Sequence, residues 1–182
     1  MKLIAFVGMP ASGKSEAAAI AQRLGIPVIN MGDIVREETA KRCLPSTDEN
    51  IGSIGAALRR EEGMDAIAKR CVPRIPQKSS VVVVDGTRNI EEIDHFKKKF
   101  GDDFKLIAIQ APQELRFERV KRRSRSDDMK SIEELKIRDE REKGWGLDKA
   151  IQMADITILN TQSIQKFRKQ IEQLLLNCNG FF

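Results

Sequence analysis

Histidine and cysteine are scarce in this sequence: one His and three Cys among 182 residues. His95 has no second imidazole to work with, and Cys43, Cys71 and Cys178 stand far apart with no C-x-x-C pair. That scarcity argues against a nitrogen/sulfur metal centre and against a disulfide framework, and it favours a reduced, cytoplasmic setting. Each cysteine reads as a small core or boundary residue. His95, in a charged helix, reads as a surface or boundary histidine rather than a base. No apolar run is long enough to span a bilayer, so no membrane partner is expected. The opening "MKLIAFV" carries one lysine and runs into a glycine-rich loop instead of a cleavage site, so it reads as a strand and not a signal peptide. Internal repeats and low-complexity tracts are missing as well. The one tryptophan, Trp145, lies between two glycines and is open to two readings, a base-stacking ring or a core anchor.

What is present is a globular composition, 41% hydrophobic and 32% charged, with a net charge of +5 and a pI of about 9.2. A length of 182 residues favours one domain with small inserted lobes. The basic excess fits nucleic acid or, better, clustered cations around one highly anionic small molecule. No RNA-binding module is visible, so nucleic acid is the weaker reading.

Strands are expected at Lys2 to Val7, Pro27 to Asn30, Val81 to Val84, Lys105 to Gln110 and Asp155 to Leu159. The short apolar runs, above all the β-branched "VVVV", suit a parallel sheet covered on both faces. Helices are expected between them: from Ser12 or Gly13 to Leu24, Gly32 to Arg42, Asn50 to Glu62, Met64 to Val72, Glu91 to Phe100, a helix begun by Pro112, Ile132 to Glu142 and Leu147 to Met153. A terminal helix carries Ile164, Phe167, Ile171, Leu174 and Leu175 on one stripe. The final Phe181-Phe182 pair fits either an apolar cover or a dimer contact, which leaves a monomer and a homodimer both open. Alternation of strand and helix argues for an α/β fold with a parallel sheet. The segments Gly32 to Lys78 and Ser124 to Lys130 read as excursions from it, where an acceptor site and a closing lid would be placed.

The chemistry begins at "GMPASGKS", Gly8 to Ser15, which fits G-x-x-x-x-G-K-[ST]. Gly8 and Gly13 let the backbone wrap an anion, with Ala11, Ser12 and Glu16 in or beside the same loop. The following helix offers free N–H groups and the positive end of its dipole. Lys14 would reach the β and γ phosphates of ATP, and the Ser15 hydroxyl would ligate Mg²⁺. Asp85, at the carboxyl end of the "VVVV" strand, can hold Mg²⁺ directly or through water, although Asp-Gly is also turn chemistry. Arginines cluster around these points. Arg36 lies one turn into the helix opened by Gly32 and Asp33, Arg88 lies three residues beyond Asp85, and Arg116, Arg119 and Arg123 share one helical face. Part of the run Lys121 to Arg125 reads as solvated surface. Asp33 has two readings, an acceptor-orienting group or a helix cap.

In this order "GMPASGKS", "GDIVR", "VVVVDGTR", "RFERVKRRSRSDD", Arg138 and "ADITILN" resemble the nucleoside-monophosphate-kinase branch of P-loop proteins, most closely the adenylate-kinase-related family known from archaea. The resemblance covers nearly the whole chain. It implies a three-layer P-loop kinase fold, a single domain 1–182 with a five-stranded parallel sheet in the order 2-3-1-4-5. An acceptor lobe would lie near 32–78 and a short lid near 124–130. It further implies that Arg36 and Arg88 bind an acceptor phosphate, with Gly32 and Asp33 beside them. Arg119, Arg123, Arg125 and Arg138 would stabilise the transferred phosphoryl group, and Asn160 would lie near the ATP adenine. The implied activity is ATP- and Mg²⁺-dependent phosphoryl transfer to a nucleotide, AMP first. Where adenylate kinases carry "DGFPR" and then a base-reading glutamine, this chain has the shorter "DGTR" and Glu92 at that spacing. "ADITILN" before an amphipathic helix is similar also to dephospho-CoA kinases, which phosphorylate a ribose hydroxyl. The alternatives are therefore a dephospho-CoA-kinase-like enzyme, a small-metabolite kinase, and an ATP/AMP-binding switch that transfers little.

Overall fold

The computed structural model describes residues 1–123 and 130–177. Five strands, β1 (Lys2–Val7), β2 (Val28–Asn30), β3 (Val81–Thr87), β4 (Phe104–Gln110) and β5 (Ile156–Leu159), form one parallel sheet in the order β2-β3-β1-β4-β5. This is the expected strand order. Between the strands run α1 (Lys14–Arg23), α2 (Met31–Lys41), α3 (Asp48–Glu62), α4 (Ala66–Cys71), α5 (Ile90–Phe100), α6 (Gln113–Arg123), α7 (Ile132–Gly144) and α8 (Leu147–Gln152), with α9 (Ile164–Leu176) after β5.

Side-chain alternation along β1 divides the core into two layers. Leu3, Ala5 and Val7 face α2, α3, α4 and α5 through Ile34, Leu58, Ile67 and Phe96. Ile4 and Phe6 face α1 and α9 through Ile20, Phe167 and Ile171. Burying side chains of this size stabilises by about 1.5–3 kcal/mol each, which is why a sheet apolar on both faces needs both helix layers.

Several element boundaries differ from expectation, and caps explain them. The side chain of Asn30 accepts a hydrogen bond from the Gly32 amide at 2.8 Å, so α2 starts at Met31, one residue earlier than Gly32. Thr47 caps α3 through the Asn50 amide, so that helix begins at Asp48 instead of Asn50. Strand β3 continues through Asp85 to Thr87 because its pairing with β1 shifts there: Phe6 lies opposite Asp85 and Val7 opposite Thr87. The extra residue, Gly86, is a bulge at the carboxyl edge of the sheet. Helix α7 runs on to Gly144, two residues past the expected end at Glu142, so Trp145-Gly146 alone separates it from α8, with Gly146 left-handed at φ 96°. Of the cysteines, Cys71 is buried, with burial pushing its thiol up to about 12, Cys43 is exposed, and Cys178 lies outside the described residues.

Candidate active site

The carboxyl ends of β1, β2 and β3 meet at one edge of the sheet, and the residues that follow them line a single cleft of about 600 Å³ open to solvent. Parallel strands carry every strand end to the same side, which is how segments distant in sequence converge there. Nine of the residues singled out from the sequence line it: Gly8, Ala11, Lys14, Ser15, Gly32, Arg36, Asp85, Arg88 and Arg138.

The loop between β1 and α1 owes its shape to close approaches. A Cβ on Gly8 would lie 2.2 Å from the Ile109 carbonyl oxygen, and one on Gly13 would lie 2.3 Å from Asn160 Nδ2. Both glycines have positive φ, as does Ala11 at 60°. Such alternating backbone turns its N–H groups toward a concavity that suits an anion. Lys14 Nζ donates to the carbonyl oxygens of Gly8 and, at 2.9 Å, Met9, so the ammonium is folded into the concavity of its own loop. Burial lowers its pKa from 10.5 to about 8, although the carboxylates of Asp85 and Glu142 oppose the change; Arg88 and Arg138 reinforce it.

The remaining expected residues lie behind or beside this surface. Ser12 is fully buried, and its carbonyl accepts from Arg119 Nη1 at 3.0 Å and from Asn160 Nδ2 at 2.9 Å. Arg119 also donates to the Asn160 carbonyl at 2.8 Å. Asn160 and Arg119 thus brace the phosphate loop from the rear, and Asn160 borders a second concavity with Gln162, Lys166 and Phe167. Arg116 joins the same brace through the Pro10 carbonyl at 3.1 Å and a bidentate pair with Asp139 at 2.9 and 2.6 Å. Glu16 is paired with Arg168 of α9 at 2.7 Å. Asp33 holds Arg36 at 2.8 Å on the exposed rim. Arg125 and the side chain of Arg123 lie outside the described residues.

Sequence reading missed the carboxylates that organise the arginines. Glu142 on α7 is 4% exposed, lines the cleft, and takes Arg88 Nε on one oxygen and Arg138 Nε on the other, each at 3.3 Å. Burial pushes its carboxyl up, but Arg88, Arg138 and Lys14 outweigh this and hold it at about 2. Glu92, at the spacing where adenylate kinases read a base, is fully buried. It accepts from the Arg88 amide at 2.7 Å and from Arg59 Nη2 at 2.8 Å, so it shapes the Arg88 turn and does not face the cleft. Asp48, the first residue of α3, takes Arg138 Nη1 at 3.0 Å and Arg141 at 2.9 and 3.0 Å. Trp145 packs beneath Arg59, whose guanidinium carbon is 4.6 Å from the ring centre, with Arg88 and Arg141 near 6 Å at 5.9 and 5.8 Å. The ring is half-buried among guanidinium groups. The only sequence trace of Glu142 is its i, i+4 spacing from Arg138, in a helix where Glu and Lys/Arg recur throughout.

Ser15 and Asp85 offer hydroxyl and carboxylate oxygens to one cleft, a donor set suited to a hard cation that keeps water and phosphate oxygens in its shell. Among the described residues no group of three or more His, Cys, Asp or Glu gathers to hold a metal by itself. A magnesium ion brought with a nucleotide fits this pattern. Among the described residues no helix is long and apolar enough to cross a membrane.

The sheet order, the glycine loop and the edge cleft define the fold as P-loop kinase-like. A family model described as an AAA domain matches residues 7–136, and the chain belongs to that family and, within curated proteins, to the UPF0200 family. A UPF0200/UPF0201 protein of Archaeoglobus fulgidus is 60% identical over 97% of this chain, which spans 55% of that relative's length. A UPF0200 protein of Methanosarcina barkeri is 52% identical over 97% of this chain and 96% of its own. Among solved structures, a shikimate kinase from Bacteroides thetaiotaomicron superposes with a TM-score of 0.62 at 12% identity, covering 98% of both chains. A gluconokinase from Sinorhizobium meliloti 1021 gives 0.58 at 18% identity, covering 97% of this chain and 93% of its own. At such identities the likeness is one of fold.

Proposed function

We propose that this protein is an ATP- and Mg²⁺-dependent phosphotransferase whose acceptor is a nucleoside monophosphate, AMP first. The observation that carries the reading is the convergence of Arg36, Arg88 and Arg138 on the same cleft as Lys14, Ser15 and Asp85. Phosphoryl transfer needs positioning and charge neutralisation more than covalent catalysis, and a cleft with a phosphate loop on one wall and arginines on the other supplies both.

The loop backbone and Lys14 would hold the β and γ phosphates of ATP, Lys14 leaving its carbonyl partners for the ligand. Ser15 and Asp85 would hold Mg²⁺, which neutralises charge on those phosphates. Arg36 and Arg88 would hold the acceptor phosphate, and Arg138 would face the group in transit. An acceptor phosphate oxygen attacks the γ phosphorus, the bond from that phosphorus to the β–γ bridging oxygen breaks, and the electron pair leaves with ADP. The segment 124–130 would act as the lid, and residues 32–78 as the acceptor lobe, within one domain.

The cleft's carboxylates favour a phosphate acceptor over a hydroxyl. A hydroxyl must lose a proton during attack, so it calls for a basic carboxylate within reach. Among the described residues two carboxylates line the cleft: Asp85 would hold the metal, and Glu142 has both oxygens engaged by guanidinium groups and a pKa of about 2, while Asp33 on the rim is paired with Arg36. A phosphate oxygen is already ionised and needs no base. The shikimate kinase and gluconokinase neighbours act, by their names, on hydroxylated acids, which makes those compounds the right contrast.

The test measures ADP formation from ATP and Mg²⁺ with AMP, CMP, UMP, GMP, dephospho-CoA, shikimate and gluconate offered separately, beside Lys14→Ala. Turnover with a monophosphate, lost in the variant, is the expected result. Turnover only with a hydroxyl acceptor moves the assignment to dephospho-CoA or a small metabolite. Nucleotide binding without turnover assigns a switch.

A further inference from the structure

We infer that Glu142 is the positioning residue of the acceptor site, a carboxylate that fixes Arg88 and Arg138 by their Nε edges so that both guanidinium groups face the cleft. The inference rests on the kinase reading for its catalytic consequence, but its geometry is independent of that reading.

Arg88 follows β3, and Arg138 and Glu142 lie one turn apart on α7, so the two arginines come from elements with no direct chain connection. Two guanidinium groups lining one cleft repel each other unless an anion lies between them. Glu142 is that anion: Oε2 accepts from Arg88 Nε and Oε1 from Arg138 Nε, both at 3.3 Å. Because it engages Nε, this contact leaves the terminal Nη atoms of Arg88 unused, and Arg88 lines the cleft. Among the described residues the hydrogen bonds of Arg88 run through Nε and the backbone amide alone. The backbone of Arg88 is fixed as well, through Glu92, which is itself tied to Arg59. On the other side Arg138 Nη1 meets Asp48, so α7 is joined at once to β3 and to α3.

A buried carboxylate is an expensive way to join two elements when apolar packing would serve. What the carboxylate adds is orientation: each arginine is ordered before the acceptor arrives, and little freedom is lost on binding. A merely structural residue at this place would not need to line the cleft, and Glu142 does.

The experiment compares Glu142→Gln and Glu142→Asp with the wild type. With AMP as acceptor, Glu142→Gln should lower kcat by about 100-fold, the scale of a small misplacement of reacting groups, while the KM for ATP stays unchanged. Glu142→Asp keeps the charge and should recover part of the loss. Arginine Nε–H signals in proton–nitrogen correlation spectra, assigned with Arg88→Lys and Arg138→Lys, should be protected from solvent exchange in the wild type and lose that protection in Glu142→Gln. A Glu142→Gln protein with near-wild-type kcat, or a wild type whose Arg88 and Arg138 Nε–H groups exchange freely, overturns the inference. If the wild type turns over no acceptor, the kinase reading fails by itself. The inference is then decided by titrating inorganic phosphate: movement of both Nε–H signals in the wild type and weaker binding in Glu142→Gln support it, and no response in the wild type overturns it.

Discussion

Lys14 is held by two opposed influences, and they make its protonation a measurable signature of the site. Burial lowers its pKa to about 8, against the nearby carboxylates of Asp85 and Glu142. In the unfolded chain the group has the ordinary value of 10.5. Below about pH 8 the lysine is protonated in both states, so it contributes no pH slope to stability. Between about 8 and 10.5 the unfolded chain holds a proton that the folded chain has released, and stability from this group rises with pH. Denaturant unfolding of wild type and Lys14→Met across pH 6 to 10 isolates that term. The difference between them should stay flat to pH 7.5 and then shift in favour of wild type; a flat difference to pH 10 would show that Lys14 is solvated. Its place at the cleft was legible, because glycine, lysine and serine at fixed spacing between a strand and a helix set the loop and the start of α1. Glu142 was not legible, because nothing local separates it from the solvated glutamates of α7; its role exists only once β3 brings Arg88 to it.

The junction of the phosphate loop with β5 and α9 shows how elements hold one another in place. The Asn160 side chain donates to the Ser12 carbonyl, while its backbone amide donates to the Gln110 carbonyl at 2.7 Å, which ties the end of β5 to both the loop and β4. Gly13 lies against that side chain and against Phe167 of α9, 3.3 Å from where its Cβ would be. Gly13→Ala therefore introduces a clash with a buried amide and an unfavourable φ of 120° together. It should destabilise the fold by about 2–4 kcal/mol, the range for combined overpacking and backbone strain. Thermal unfolding of Gly13→Ala and Asn160→Ala checks this: Asn160→Ala, which loses one hydrogen bond, should cost roughly 1–2 kcal/mol. Equal losses in the two variants would contradict the contact argument. At this scale the sequence was read well where patterns are periodic. The five strands stand near their expected places, and in the stripe of α9 Phe167, Ile171 and Leu175 are buried while Ile164 is exposed. Boundaries slipped where capping candidates crowd together, as in "STDEN", where Ser46, Thr47, Asp48 and Asn50 can each cap and only tertiary context selects Thr47.

In the whole molecule several positive charges are paired with carboxylates inside the fold. The net charge of +5 is modest, and several arginines are withdrawn from solvent. Arg59 and Arg116 are buried against Glu92 and Asp139, and Arg88 and Arg138 share Glu142. Composition alone offers a basic protein with a choice of anionic partners; the fold places Lys14, Arg36, Arg88 and Arg138 around one cleft, an arrangement that suits a compact polyanion. A ligand held by so many fixed groups must stabilise the folded state by mass action. ATP with Mg²⁺ at 100 times its dissociation constant should add about 2.7 kcal/mol, and for a domain of this size that is roughly 5–10 °C in Tm. AMP added together with ATP should raise it further, because Arg36 and Arg88 then gain a phosphate that the donor nucleotide does not supply. Differential scanning fluorimetry on wild type and Lys14→Ala reads both steps. The first shift should be lost in Lys14→Ala, and the second should be lost in Arg88→Lys, whose compact ammonium cannot keep the Nε contact to Glu142 while reaching the acceptor. An Arg88→Lys protein that responds to AMP as the wild type does would remove the acceptor phosphate from this wall of the cleft.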